Sequence, residues 1–171
     1  MISIKNKSFS ITAEIVVPKG GAEGVIIHPG GHFGGWSLYA ENGEAKFAYN
    51  LFAVEITHVG AERPIATGKH QVRREFAYDG GGLGKGGTVS LRYDGERVGT
   101  GRVERTVAFA SSADETTDVG RVTGTPVTDD YGLKSSAFTG TIDWVQIETG
   151  KDDHDHLISP EDRPHAAMTR Q

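Results

Sequence analysis

The chain of 171 residues contains no cysteine. Disulfides, thiolate metal sites and a cysteine nucleophile are thereby excluded. A reducing compartment fits, and a cytoplasmic location is consistent with it. Apolar runs extend only a few residues, too short for a transmembrane helix. The N-terminus lacks the hydrophobic core of a signal peptide. No run of Lys and Arg forms a basic stripe and the formal net charge is −5, so nucleic acid is not an expected partner. No helical period of useful length occurs, and there is no internal repeat. The apolar fraction of 36% is modest, as suits sheets with one wet face each. A domain of about 150 residues can still bury roughly 68–70% of its unfolded surface, so a core without disulfides is feasible.

Glycine is abundant instead: 24 residues, about twice average usage. Eight consecutive positions read Gly80-Gly81-Gly82-Leu83-Gly84-Lys85-Gly86-Gly87. A glycine-rich loop between a strand and a helix can cradle phosphate. Here strand patterns flank it on both sides. Val72, Phe76 and Tyr78 share one parity before it, against Gln71, Arg73 and Glu75. Val89, Leu91 and Tyr93 alternate with Thr88, Ser90, Arg92 and Asp94 after it. A period of two is the mark of a half-buried strand. The Walker pattern also fails, because Gly86 stands where Ser or Thr should follow Lys85. The run is read as a hairpin connection without a nucleotide.

Other strands follow the same logic. Phe9, Ile11, Ala13, Ile15 and Val17 fall on one face, ending at Pro18-Lys19-Gly20-Gly21. Residues 24–28 form a short apolar strand. Residues 36–41 and 44–52 are joined by Asn42-Gly43, the strongest short hairpin signal, because both turn positions need positive φ. Residues 53–58 continue as a strand and 61–68 as a loop. Asp94-Gly95 turns into a strand over 97–103. Residues 104–134 carry a weak signal, read as short strands within long loops. The last strand covers 138–148. Its apolar parity switches between Trp144 and Val145, which a β-bulge or burial on both faces explains. Residues 149–171 hold many charges and few large apolar groups, so a flexible charged tail is expected there. About ten strands with glycine-rich turns imply an all-β, antiparallel two-sheet sandwich over 1–148, a jelly roll rather than a closed barrel.

Several segments carry a family resemblance: Gly30-Gly31-His32-Phe33-Gly34-Gly35-Trp36-Ser37-Leu38-Tyr39, Tyr49-Asn50-Leu51-Phe52, Phe76-Ala77-Tyr78-Asp79 with the glycine loop, Asp118-Val119-Gly120 and Thr123-Gly124-Thr125-Pro126-Val127. In order and spacing they resemble the C-terminal region of large bacterial arylsulfatases, over roughly residues 8–148. The resemblance implies a laminin-G or concanavalin-like jelly roll that follows a sulfatase catalytic domain. The catalytic motif C/S-x-P-x-R of that family is missing. Ser159-Pro160-Glu161-Asp162-Arg163 places proline directly after serine. The fold is therefore carried over and the sulfuric ester hydrolase activity is not.

Chemistry-bearing residues are few. His28 and His32 bracket a Pro-Gly-Gly turn and could share a metal if a carboxylate approached, although a packed and a solvated histidine is the favoured reading. The Asp152-Asp153-His154-Asp155-His156 tract could hold a cation loosely, with a solvated tail favoured. Asp114, Glu115, Asp118, Asp129 and Asp130 could line a calcium site, with a solvated loop favoured. Trp36, Tyr49, Tyr78, Tyr93 and Trp144 sit on apolar parities and are expected in the core. Tyr39 lies on the polar parity and is the better surface candidate for stacking on a sugar. No G-x-S-x-G elbow occurs. No catalytic, cofactor or metal residue is assigned.

The expected function is that of a non-catalytic accessory domain, packing against a sulfatase catalytic domain and shaping substrate access through the loop at 30–35. The alternative is a carbohydrate-binding module, with or without calcium. A self-associating homodimer is the third expectation.

Overall fold

The computed structural model describes residues 6–107, 117–150, 156–158 and 167–169. Eleven strands lie in these segments, and no helix does: β1 (Phe9–Val17), β2 (Gly24–Gly31), β3 (Gly34–Glu41), β4 (Glu44–Leu51), β5 (Glu55–Gly60), β6 (Gly68–Tyr78), β7 (Lys85–Tyr93), β8 (Glu96–Arg105), β9 (Thr117–Val119), β10 (Thr141–Thr149) and β11 (Ala167–Thr169). They form sheet A, in the order β11-β10-β1-β6-β7-β8, and sheet B, in the order β5-β4-β3-β2-β9. Every pairing is antiparallel. The protein is an all-β two-sheet sandwich of the jelly-roll kind.

Alternation explains the packing. In β1, Ile11, Ala13 and Ile15 point between the sheets and meet Leu38 and Phe47 of sheet B, with Val72 and Leu91 of sheet A. Each fully buried Ile, Leu, Val or Phe among them contributes about 1.5–3 kcal/mol. One core position breaks the pattern. Arg74 lies in β6 between Val72 and Phe76 and is fully buried among these apolar groups.

The edges of the two sheets meet where β5 approaches β8. Glu62 N donates to Val98 O at 2.7 Å, and a Cβ on Gly99 would stand 2.5 Å from Gly60 O. A larger residue at 99 would force the backbone at Gly60 and Ala61 to shift.

The turns sort by chemistry. Asn42-Gly43 (φ 53° and 78°) and Asp94-Gly95 (φ 50° and 87°) are left-handed turns of the expected composition. A third turn has the same shape with the wrong residues. Phe52 and Ala53 hold φ of 53° and 57°, closed by Val54 N donating to Leu51 O at 2.9 Å. Residues 53 and 54 therefore lie in the turn rather than in the strand expected over 53–58. An aromatic residue in the left-handed region is uncommon, and its strain is of order 1–3 kcal/mol.

The glycine run connects β6 to β7, both strands of sheet A. Tyr78 Oη organises it, donating to Gly82 O at 2.6 Å and accepting from Lys85 N at 3.0 Å. Phe9 pairs with Phe76 and stacks on Trp36 at 5.9 Å, which fixes the end at which this run lies. The β2–β3 and β4–β5 turns share that end, because Trp36 follows Gly34 and pairs with Tyr49. Phe33, Phe52, Val54 and Leu83 are its exposed apolar groups.

The parity switch in β10 is a register irregularity. Glu14 pairs with Trp144 and Ile15 with Ile142, so Asp143 is passed over. Ile142 and Val145 join the core, while Trp144 is buried outside that core cluster. Of residues 149–171, the structure describes three short parts. Thr149 and Gly150 close β10, Ile158 is buried beside Gln71, and Ala167–Thr169 pairs with β10.

Candidate functional site

On sheet B the side chains facing away from the core come from odd positions of β3 and even positions of β4 and β5. The register sets Tyr39 beside Lys46, and Ser37 beside Ala48 and His58. Residues 121–136 lie over much of this face. Val122, Val127 and Tyr131 pack on Val25, Tyr39 and Ala48 as a second, smaller apolar cluster. The strand pattern gave no hint of this cover, since the segment is mostly irregular.

Polar contacts hold the cover down. Val127 N donates to His28 Nε2 at 3.1 Å, and Asn50 Nδ2 donates to Val127 O at 2.9 Å and His32 O at 3.0 Å. Tyr131 Oη donates to Ser37 Oγ at 2.7 Å. Tyr39 Oη donates to Asp130. His58 Nε2 lies 2.8 Å from Thr128 Oγ1 and 3.7 Å from Asp130 Oδ2. Lys46 Nζ donates to Glu41.

Burial, reinforced by the hydrogen bond to Asp130, holds the Tyr39 phenol well above its usual range. It stays a proton donor. The hydrogen bond to Glu41 raises Lys46, against the opposing effect of burial, so its charge is secure. At the margin of the cover, the side chains of His58 (42% exposed) and Asp130 (28%) reach solvent. Ile56 projects from the same face of β5 as His58, and Phe52, 51% exposed, lies in the turn before that strand. An imidazole, a carboxylate and an ammonium thus share the face from which Ile56 projects.

The geometry is not that of a nucleophile triad. Such a triad needs a hydroxyl and a carboxylate on different ring nitrogens of one histidine. Thr128 and Asp130 both approach Nε2 of His58, and Thr128 is buried.

The sequence-level candidates are dispersed. His28 is buried under the cover, whereas His32 is exposed and stacks edge-on against Phe33 at 5.1 Å. Asp118 holds Thr123, accepting from its amide at 2.7 Å. Asp129 is exposed, and Asp130 serves Tyr39. His156 Nδ1 lies 2.6 Å from Glu75. Among the described residues, no three His, Asp or Glu converge on a point where a metal could sit. Asp114, Glu115, residues 152–155 and Ser159–Arg163 fall outside the described residues. Trp36 and Tyr93 are in the core, with Tyr49 and Tyr78 packed against it. Tyr39 needs correction as a surface candidate: it faces outward from the sheet, yet is 1% exposed because the cover lies on it. The grouping of Lys46, His58 and Asp130 was not legible, as it depends on a strand register and a loop path.

No protein-family model matches this chain, and no curated protein does. Solved structures do. A protein from Bacteroides ovatus described as carbohydrate-binding superposes with a TM-score of 0.59 at 15% identity, covering 92% of this chain and 41% of that one. The CBM40 of a Ruminococcus gnavus IT-sialidase, bound to α2,3-sialyllactose, gives 0.52 at 14% identity, over 91% and 79%. The LG1-3 region of the laminin α2 chain gives 0.52 at 11% identity, over 80% and 26%. The chain therefore spans well under two-thirds of the Bacteroides and laminin chains. None of the three is a sulfatase. At these identities the likeness shows fold alone, and that fold is the laminin-G/concanavalin-like β-sandwich.

Proposed function

We propose that the chain is a non-catalytic carbohydrate-binding module whose ligand lies along β5, between Ile56 and the margin of the cover. The observation that carries this reading is Ile56 with His58, Asp130 and Lys46 on one partly exposed face of sheet B, and Phe52 in the turn that leads into β5. A sugar ring offers an apolar face of C–H groups and an equatorial belt of hydroxyls. A site for it needs apolar surface beside fixed donors and acceptors. Asp130 accepts, Lys46 donates and His58 can do either. Their neighbours hold them in place, which reduces the ordering cost of binding. The carbohydrate-binding proteins among the fold relatives agree with the reading.

A glycan array followed by calorimetry on the best binder tests it. Asp130→Ala and Phe52→Ala should each weaken binding at least tenfold, and Arg63→Ala should leave it unchanged. A silent array with and without calcium would defeat the proposal.

A second reading, packing against a sulfatase-type catalytic domain, draws on the exposed end at Phe33, Val54 and Leu83. Co-purification with such a domain, lost in Phe33→Asp, would favour it.

A further inference from the structure

The outer face of sheet A differs from that of sheet B. It is built of polar residues, and these are buried. Thr12 and Gln146 have almost no exposure and Arg73 has 1%. Over this face lie residues 156–158. Ile158 is 2% exposed. Gln71 holds its backbone reciprocally: Nε2 donates to Ile158 O at 3.0 Å, and Oε1 accepts from Ile158 N at 3.0 Å. A neighbouring β-strand would offer the same donor and acceptor pair. Here a side-chain amide supplies it, bonding both backbone groups of Ile158 from below rather than from an edge.

Two residues earlier, His156 Nδ1 meets Glu75 at 2.6 Å. Glu75 also accepts from Arg73 Nε at 3.0 Å and Arg92 Nε at 3.1 Å. Arg73 in turn donates to Thr12 Oγ1 at 2.6 Å. The carboxylate is thus fixed by two guanidiniums, and His156 shares its Oε1 with Arg73. His156 adopts φ of 61°, a left-handed conformation that is strained outside glycine. The contacts made by 156–158 offset that strain. Further on, β11 pairs with the edge of β10, so the same terminal segment is also taken up as a strand.

We propose that the outer face of sheet A is a recognition groove for a short polypeptide segment. Its specificity is for an imidazole or cationic residue two positions before an aliphatic one, and its occupant is this chain's own C-terminal segment, acting as a ligand in cis. Gln71 supplies backbone recognition, Glu75 selects the donor, and the site of Ile158 selects the aliphatic group. The groove belongs to a different sheet from the proposed carbohydrate site and does not depend on it.

The test uses the full chain. Ile158→Asp should release the segment and leave the groove open. A fluorescent peptide with the natural sequence of residues 151–171 should then bind this variant at least tenfold more tightly than it binds the unaltered protein, read by anisotropy. Adding Gln71→Ala to the variant should reduce that binding at least tenfold, and a scrambled peptide should not bind. Where Ile158→Asp does not fold, the double substitution His156→Ala, Ile158→Ala takes its place with the same expected outcomes. Equal binding to variant and unaltered protein, no binding to either, or binding indifferent to Gln71→Ala would overturn the proposal.

Discussion

The guanidinium carbon of Arg74 stands 4.1 Å from the centre of the Phe9 ring, within the core of the sandwich. The rings of Trp36 and Phe47 lie at 4.8 and 4.4 Å. Its Nε and Nη2 meet no acceptor among the described residues. Three ring faces offset part of the desolvation of a cation, each contact contributing about 0.5–2 kcal/mol. They do not restore the hydrogen bonds that water would give. Burial therefore lowers the group to about 9.

Replacing Arg74 should consequently stabilise the fold, provided the volume is kept. Arg74→Met should raise stability at pH 7 by about 1–2 kcal/mol in urea unfolding, because an uncompensated buried charge is exchanged for a matching apolar chain. Arg74→Ala should destabilise through the cavity it leaves. The sign of the pH effect follows from the lowered value. Between about 9 and the ordinary arginine range the unfolded chain holds a proton that the folded chain does not, so this group's contribution to stability rises with pH. The gap between Arg74→Met and the natural protein should narrow from pH 8 to pH 10. A gap independent of pH would contradict this account.

Tyr93 ties a loop to a hairpin. Its hydroxyl donates to Arg63 O at 3.0 Å and accepts from Ala45 N at 2.9 Å. Tyr93→Phe should cost about 1–3 kcal/mol, since a buried amide and a carbonyl both lose a partner. Burial also pushes the phenol up to about 12. Its stabilising contribution is complete below the unfolded value near 10 and is lost as pH rises through about 12. Denaturation of Tyr93→Phe should accordingly show less loss across that alkaline window than the natural protein.

The turn at Phe52 and Ala53 carries strain that Asn-Gly would not. The double substitution Phe52→Asn, Ala53→Gly should raise the melting temperature, by an amount equivalent to about 1 kcal/mol. The same change should weaken glycan binding, because the exposed ring is gone. Stabilisation without loss of binding would remove Phe52 from the proposed site.

Gly30 and Gly35 face each other across β2 and β3. A Cβ on Gly35 would stand 2.4 Å from Pro29 O, with φ at 142°. Gly35→Ala should cost about 3 kcal/mol by chemical denaturation, combining steric displacement with backbone strain. An alanine tolerated there would mean that the β2–β3 hairpin can separate freely.

Strands with one wet face were readable because alternation reports burial directly: Phe9 to Val17 needs no partner to be recognised. Asn42-Gly43 and Asp94-Gly95 were equally plain, since their turn needs the conformations those residues favour. Phe52-Ala53 was not, because tertiary packing imposes the same turn on residues that disfavour it. Arg74 could have been noticed on the parity of Val72 and Phe76, but a cation there argues against its own position until the three rings are seen. Asp130 was found as a loop acid, and its partnership with Tyr39 depends on where residues 121–136 cross the sheet.

The sequence by itself determined the all-β class, the absence of thiol chemistry and the reading of the glycine run as a hairpin. Each follows from composition or from contacts a few residues long. Only the tertiary structure decided which polar faces are covered. Tyr39 and Arg73 both lie on outward parities that predict exposure, yet both are buried, Tyr39 under residues 121–136 and Arg73 among Thr12, Glu75 and Glu148. Periodicity specifies the face of a strand. What lies over that face depends on the paths of irregular segments, which follow from packing between distant residues and leave no local period to read.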